Sequence, residues 1–160
     1  MFTKVVWATD GAEHTDRAPI LVELAREECL RLLTTATVGR VVVLTPEGTP
    51  VIRPVNYAFD AASQSVVFRC SEGTKLVTLL RAARAWFEVD EINPAGATGW
   101  SVLIAGVTEA IIRPEDVSRL DGCALESWGA APTAQWIRIR ARVVSGRRIE
   151  ASVAVTDSRP

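Results

Sequence analysis

The sequence is poor in most of the side chains that announce a chemistry. Among its 160 residues there is one histidine, His14, near the N-terminus, which is a poor centre for a Ser-His-Asp triad and leaves a histidine-based metal site without a second imidazole. The three cysteines, Cys29, Cys70 and Cys123, are odd in number and form no C-x-x-C pair. They read as buried thiols in a reducing compartment, which excludes a disulfide scaffold and a thiolate zinc site. No apolar run approaches the roughly 20 residues needed to span a bilayer. The first residues, with Asp10 and Gly11 interrupting a short apolar stretch, are not those of a signal peptide. A cytoplasmic location is the expectation. Charge of one sign is lacking too: 18 basic against 19 acidic residues leave a formal net charge of -1, whereas nucleic-acid binders usually carry a basic excess. Lysine is scarcest among the charged types. Only Lys4 and Lys75 occur, so 16 of the 18 cations are arginine. A GC-rich genome would produce that bias without functional cause, yet it leaves Lys75 as the only lysine within the folded body.

What is present is the composition of an ordinary globular protein, 48% hydrophobic and 23% charged, at a length that suits one domain. Residues 1–18 lack sustained periodicity and are read as an N-terminal arm, 19–150 as the domain and 151–160 as a C-terminal tail. From Ile20 to Leu33, Leu21, Ala25, Cys29 and Leu33 recur at helical spacing opposite Glu23, Arg26, Glu27 and Arg31, which predicts an amphipathic helix. Period two then takes over. Strands are expected at Val38–Leu44, Val51–Phe59, Ser65–Cys70, Ala85–Glu91, Trp100–Ile112 and Ala134–Val144, with short helices at Leu76–Leu80 and Pro114–Leu120. Six short strands with flanking helices and no strict βαβ alternation predict a mainly β fold, a closed or nearly closed barrel. Neither G-x-G-x-x-G nor a Walker-A motif is found.

Two neighbouring strands carry the candidate chemistry. In Val51–Phe59, alternation puts Val51, Arg53, Val55, Tyr57 and Phe59 on one face and Ile52, Pro54, Asn56 and Ala58 on the other. Pro54 cannot donate to a ladder, so this strand is expected at an edge or a bulge. Arg53 stands among apolar neighbours and needs a partner for its charge. On this strand alone a solvated or salt-bridged arginine is the simpler reading. The strand Ser65–Cys70, with Phe68 and Arg69 on opposite faces, runs into Ser71-Glu72-Gly73-Thr74-Lys75 and a helix. Free N–H groups at a helix start, the Thr74 hydroxyl, the Lys75 ammonium and an arginine fork together suit a phosphate. Arg53, Arg69 and Gly-Thr-Lys lie close in sequence, which favours that reading over a simple helix cap.

Taken in order, R-P-V-N-Y, V-F-R-C-S-E-G-T-K-L, G-W-S-V-L-I-A-G and W-I-R-I-R-A-R-V-V-S-G-R-R-I resemble the pyridoxamine 5′-phosphate oxidase-like flavin-binding split-barrel proteins, over roughly Leu24 to Ile149. The resemblance implies a six-stranded split barrel, a homodimer and an FMN site shared between subunits. Arg53, Pro54, Val55 and Asn56 would run beside the flavin, with Arg53 reaching its phosphate. Phe68 and Arg69 match the second strand of the site, and Thr74 and Lys75 its phosphate-binding turn. Trp100, Ser101 and an arginine of the last strand, Arg138, are the candidates from the second subunit. In that last strand Trp136, Arg138, Arg140 and Arg142 share a face, which serves equally as a cofactor wall or a solvated surface. The oxidase itself carries a C-terminal arginine–histidine element that holds pyridoxal phosphate. His14 lies in the arm and the tail has no such element, which argues against pyridoxamine phosphate as the substrate. The expected function is an FMN-dependent oxidoreductase acting on a small molecule. The alternatives are an F420-dependent reductase of the same fold, with Arg40, Arg81 and Arg84 as possible contacts for the longer acidic tail, and a non-catalytic flavin- or haem-binding module.

Overall fold

The computed structural model describes residues 19–71, 80, 84–122, 125 and 134–151. The arm at 1–18, His14, Arg81, Cys123 and most of the tail therefore lie outside the described residues, as do Thr74, Lys75 and all but Leu80 of the helix expected at Leu76–Leu80.

Among the described residues, eight strands and two helices follow in the order β1 (Ile20–Glu23), α1 (Arg26–Leu32), β2 (Val38–Leu44), β3 (Pro50–Asp60), β4 (Ser65–Cys70), β5 (Arg84–Asn93), β6 (Thr98–Ala110), α2 (Pro114–Asp121), β7 (Gln135–Arg140) and β8 (Val143–Glu150). All pairings are antiparallel. The spatial order is β1-β8-β6-β5-β2-β3-β4-β7, and β7 returns to β6 through Thr108↔Ile139, Glu109↔Arg138 and Ala110↔Ile137. That last pairing closes β6, β5, β2, β3, β4 and β7 into a six-stranded barrel, with β8 and β1 extending its sheet as a flap. The six-stranded barrel expected from the sequence is the fold.

Two boundaries differ from the sequence reading. The stretch expected as one helix from Ile20 begins as a strand, because Ile20–Glu23 pairs with Arg147–Glu150 before α1 starts. The final strand expected at Ala134–Val144 is two strands. The chain leaves β4 and β7 at Ala141-Arg142, and β8 then takes up the edge of β6 from Ala105 to Gly99. β6 thus serves β8 with its first half and β7 with its last three residues. Gly106 sits at this fork, where a Cβ would stand 2.1 Å from the Arg140 carbonyl oxygen. The corner is held from outside by Arg26, whose guanidinium donates to the Ala141 carbonyl at 3.0 Å and to Gln64 Oε1 at 3.1 Å.

The barrel interior is filled by the inward positions of each strand, among them Val41, Val43, Val66, Phe68, Phe87, Val102, Ile104 and Ile139, all fully buried. Burying a side chain of that size contributes about 1.5–3 kcal/mol. Tyr57 closes one end. Its ring meets Phe87 edge-on at 4.7 Å between centroids, and its hydroxyl donates to the Leu33 carbonyl at 2.9 Å. Burial pushes the Tyr57 phenol well above its ordinary value, so it stays a donor at any physiological pH. A smaller cluster of Val67, Ile111, Leu120 and Trp136 lies outside the barrel wall, under α2. Arg119 of α2 ties this helix to the end of β3 by a two-pronged bond to Asp60, at 3.1 and 3.0 Å. Burial alone would raise the Asp60 carboxyl, but the bonds from Arg119 and Ser63 outweigh it and hold the group below its usual value.

Helix α1 is latched to the flap through Glu28, which accepts from Arg148 of β8 at 2.6 Å and from Arg31 at 2.8 and 2.9 Å. The bonds from Arg31 and Arg148 hold the Glu28 carboxyl down, from 4.5 to about 2. A carboxyl depressed in the folded state stabilises fully above its unfolded value and loses that contribution as the pH falls through the folded one. Thermal melts of wild type and Glu28→Gln are therefore expected to differ most above pH 4.5 and to converge as the pH approaches 2. A constant gap across that window would contradict the latch. Among the described residues no helix is long and apolar enough to cross a membrane.

Candidate functional site

The site is set by an incomplete ladder. β3 is paired along its whole first half with β2, from Val38↔Asn56 to Leu44↔Pro50. On its other side β4 joins only from Tyr57 to Asp60. Among the described residues, Pro50–Asn56 therefore run as a strand with one open edge, and Pro54, which has no N–H to leave unpaired, lies within it. This is the split in the barrel wall, and R-P-V-N occupies it.

Alternation sorts these residues as the sequence suggests. Arg53 and Val55 belong to the face that Val41 and Gly39 present inward, Pro54 and Asn56 to the outer face. Arg53 is nonetheless exposed, since the missing neighbour on the open edge leaves it uncovered. Its one hydrogen-bond partner among the described residues is the adjacent Ile52 carbonyl, at 2.8 Å, and no carboxylate there lies within ion-pair distance.

Phe68 has its side chain in the barrel core at 0% exposure, so it anchors β4 while its neighbour Arg69 turns outward. Arg69 lies over the Trp136 ring, 5.6 Å from its centroid, and Nη2 donates to the Ala134 carbonyl at 3.3 Å. Its Nε is buried and has no hydrogen-bond partner among the described residues. An unmet buried donor on a cation costs about as much as a lost charge-assisted bond, 1.5–3 kcal/mol. Trp136 is itself fixed by its indole N–H to Asp121 of α2 at 2.8 Å. Continuing the register Tyr57↔Phe68 by one step sets Asn56 beside Arg69, so the structure brings Pro54, Asn56 and Arg69 onto one outer surface.

Arg138 shares that outer side of the wall, but its charge is taken. It and Arg140 both donate to Glu109, at 3.0 Å from Arg138 and 2.9 Å from Arg140. The Arg140 guanidinium, then that of Arg138, hold the Glu109 carboxyl below its ordinary value against an opposing burial effect. Glu109 is a residue that sequence spacing alone does not single out, being 29 positions from Arg138; the signal is the lone acid in an otherwise apolar strand. Trp100 and Ser101 stand apart. They lie on β6, three strands from β3, or about 14 Å at the usual strand spacing. Trp100 is half-buried against the core and lines a groove of about 440 Å³ with Glu91, Gly99 and Arg148, whereas Ser101 is exposed on the outer face. Arg40, weighed for an acidic cofactor tail, is held between Glu88 and Asp90.

A six-stranded barrel split beside an arginine-bearing strand defines the class. The chain belongs to the pyridoxamine 5′-phosphate oxidase family, whose sequence pattern matches residues 25–148. It is 33% identical over 144 residues to the uncharacterized protein Rv0080 of Mycobacterium tuberculosis, spanning 87% of this chain and 89% of that one. Among solved structures it is similar to an FAD-binding protein from Mycobacterium smegmatis, with a TM-score of 0.72, 30% identity, and 82% of this chain and 100% of that chain covered. It is also similar to a FAD-binding protein from Mesorhizobium loti, with a TM-score of 0.68 and 26% identity over 83% and 99% of the respective chains.

Proposed function

We propose that this protein binds a flavin nucleotide at the open edge of β3 and acts as a cytoplasmic flavin-dependent oxidoreductase on a small molecule, working as a homodimer whose second copy completes the site. The carrying observation is the pair of under-used arginines at the split. Arg53 is exposed with no anionic partner among the described residues, and Arg69 keeps a buried Nε with no acceptor. An anionic phosphate with several acceptor oxygens is what such groups fit. The relatives named as FAD-binding support a flavin. FMN and FAD share the ribityl phosphate, so the same arginines serve either.

In this reading Arg53, from the inward face of β3, and Arg69, from the outer face of β4, reach the phosphate from opposite sides of the open edge, Thr74 and Lys75 add a hydroxyl and a third cation, and Asn56 offers its amide to the ring or ribityl chain. Pro54 and Val55 form the wall against which the ring lies, and Phe68 positions Arg69 from behind. Trp100, Ser101 and Arg138 of the second copy are the proposed contacts across the subunit boundary; Arg138 would have to share itself with Glu109. The flavin, when bound, supplies the hydride and electron chemistry, while the chain binds it, orients it and limits the access of water.

The oxidoreductase reading is tested by mixing flavin-loaded protein with NADH or NADPH in the absence of oxygen. Loss of the oxidised flavin absorbance, and its return on adding an electron acceptor, is the expected result. A bound flavin inert to both nucleotides would reduce the protein to a carrier.

A further inference from the structure

Trp136 belongs to the outer face of β7 with Arg138 and Arg140, yet it is buried rather than solvated. Only 4% of it is exposed, and it packs under α2 with Val67, Ile111 and Leu120. Directly across the ladder stands Arg69 of β4. The two side chains form a cross-strand pair on one face, with the guanidinium carbon 5.6 Å from the ring centroid. That is within the ~6 Å over which the negative face of an indole attracts a cation. Little else holds the Arg69 head. Among the described residues it has no ion pair, its Nε has no acceptor, and its bond to the Ala134 carbonyl is long, at 3.3 Å. The direction in which its free N–H groups point is therefore set chiefly by the tilt of the Trp136 ring.

That tilt is fixed by one polar contact, the indole N–H donating to Asp121 Oδ1 at 2.8 Å. Asp121 is the last residue of α2, exposed and without an ion pair among the described residues. A carboxylate is badly placed there for the helix, whose final turn already carries partial negative charge on its free carbonyl groups. The acid gains nothing from α2, and its use among the described residues is the bond to Trp136. The helix itself is anchored on its other flank, where Arg119 pairs with Asp60 of β3 at 3.0 Å. Asp121 is thus presented to the indole from a fixed base.

We propose that Asp121 and Trp136 are positioning residues for the flavin phosphate: Asp121 fixes the indole, the indole fixes the Arg69 guanidinium, and the guanidinium meets the phosphate. The inference rests on the reading that Arg69 binds a flavin phosphate, and it makes α2 part of that site.

Equilibrium dialysis of the full chain against FMN, FAD and riboflavin tests it, riboflavin having the same ring and ribityl chain without the phosphate. Wild type is expected to bind the two nucleotides more tightly than riboflavin. Asp121→Ala is expected to weaken both nucleotides about tenfold, the scale of a lost cation–π contact, and to leave riboflavin unchanged. Asp121→Asn keeps an acceptor oxygen for the indole and is expected to bind like wild type, which separates the hydrogen bond from the charge. In an Arg69→Ala background, Asp121→Ala is expected to cost nothing further, because the group it positions is gone. Asp121 is exposed, so its flavin-free variants are expected to melt with wild type. Should Asp121→Ala unfold, Trp136→Phe, which keeps a ring under α2 and gives up the N–H, is read in the same way. Nucleotide binding that Asp121→Ala leaves at the wild-type level would overturn the inference. So would riboflavin losses equal to those of the nucleotides, losses that add to those of Arg69→Ala, or an Asp121→Asn variant as weak as Asp121→Ala. A wild type that binds riboflavin as tightly as FMN and FAD, or binds none of the three, would remove the phosphate reading itself, and the inference with it.

Discussion

Arg53→Ala is expected to weaken flavin binding by about 10- to 150-fold, the equivalent of one charge-assisted hydrogen bond at 1.5–3 kcal/mol. The melting temperature of the flavin-free protein should not move. Both halves follow from where the guanidinium sits. It is exposed at the open edge of β3, bonded only to its neighbour's carbonyl among the described residues, so removing it breaks no ion pair there. A side chain with no ion pair to lose there is one whose removal tests the proposed phosphate contact rather than the fold. Adding Lys75→Ala should deepen the loss, since the resemblance assigns that ammonium to the same phosphate. Arg113→Ala, at an exposed arginine on the connection before α2, is the control and should leave binding unchanged. Equilibrium dialysis against FMN and FAD reads all three variants and tells which flavin is preferred. Equal retention by wild type and the double variant would remove the phosphate assignment.

Gly106→Ala is expected to be the most damaging single methyl group that can be added. The new Cβ would lie 2.1 Å from the Arg140 carbonyl oxygen and 3.1 Å from Ile139 Cγ2, and the first of these is backbone that cannot rotate aside. The position is the fork where β6 passes its edge from β8 to β7, so relief means prising open the strand pair that closes the barrel. Overpacking against fixed atoms costs about 3 kcal/mol or more, which lowers the melting temperature by roughly 6–12 °C at this chain length. Gly122→Ala, whose Cβ would meet nothing nearer than 3.4 Å, should melt within a degree or two of wild type. Indistinguishable melts for Gly106→Ala and wild type would mean that the barrel does not close at this point.

These two residues mark what the sequence shows and what it hides. Arg53 is legible because period two in Val51–Phe59 fixes its face and Pro54 marks the strand as an edge; local chemistry determines both. The strands β2, β3, β5 and β6 are legible for the same reason, while β4, covered on both faces, shows as a short β-rich run bounded by turns. Gly106 is not legible, because nothing in Ile-Ala-Gly-Val says which carbonyl will approach it from 34 residues away. The split of the last strand at Ala141-Arg142 is hidden likewise: Arg140, Arg142 and Val143 continue the alternation through the break, and only pairing with β6 ends β7 and starts β8. Ile20–Glu23 reads as helix because Leu21, Leu24 and Ala25 have helical spacing. It becomes a strand because β8 offers a free edge, a tertiary reason with no local sign. For the site, the order of the motifs carries the family, whereas the stacking of Arg69 on Trp136 and the sharing of Glu109 by two arginines depend on pairings that close only in the folded barrel.

The central claim is that the split in this barrel holds a flavin. The most direct measurement is the visible absorption spectrum of the purified protein, taken before and after incubation with excess FMN or FAD and removal of free ligand by desalting. A two-banded flavin spectrum that survives desalting, with about one flavin per chain, is the predicted result. A colourless protein that releases both flavins on the column would contradict it.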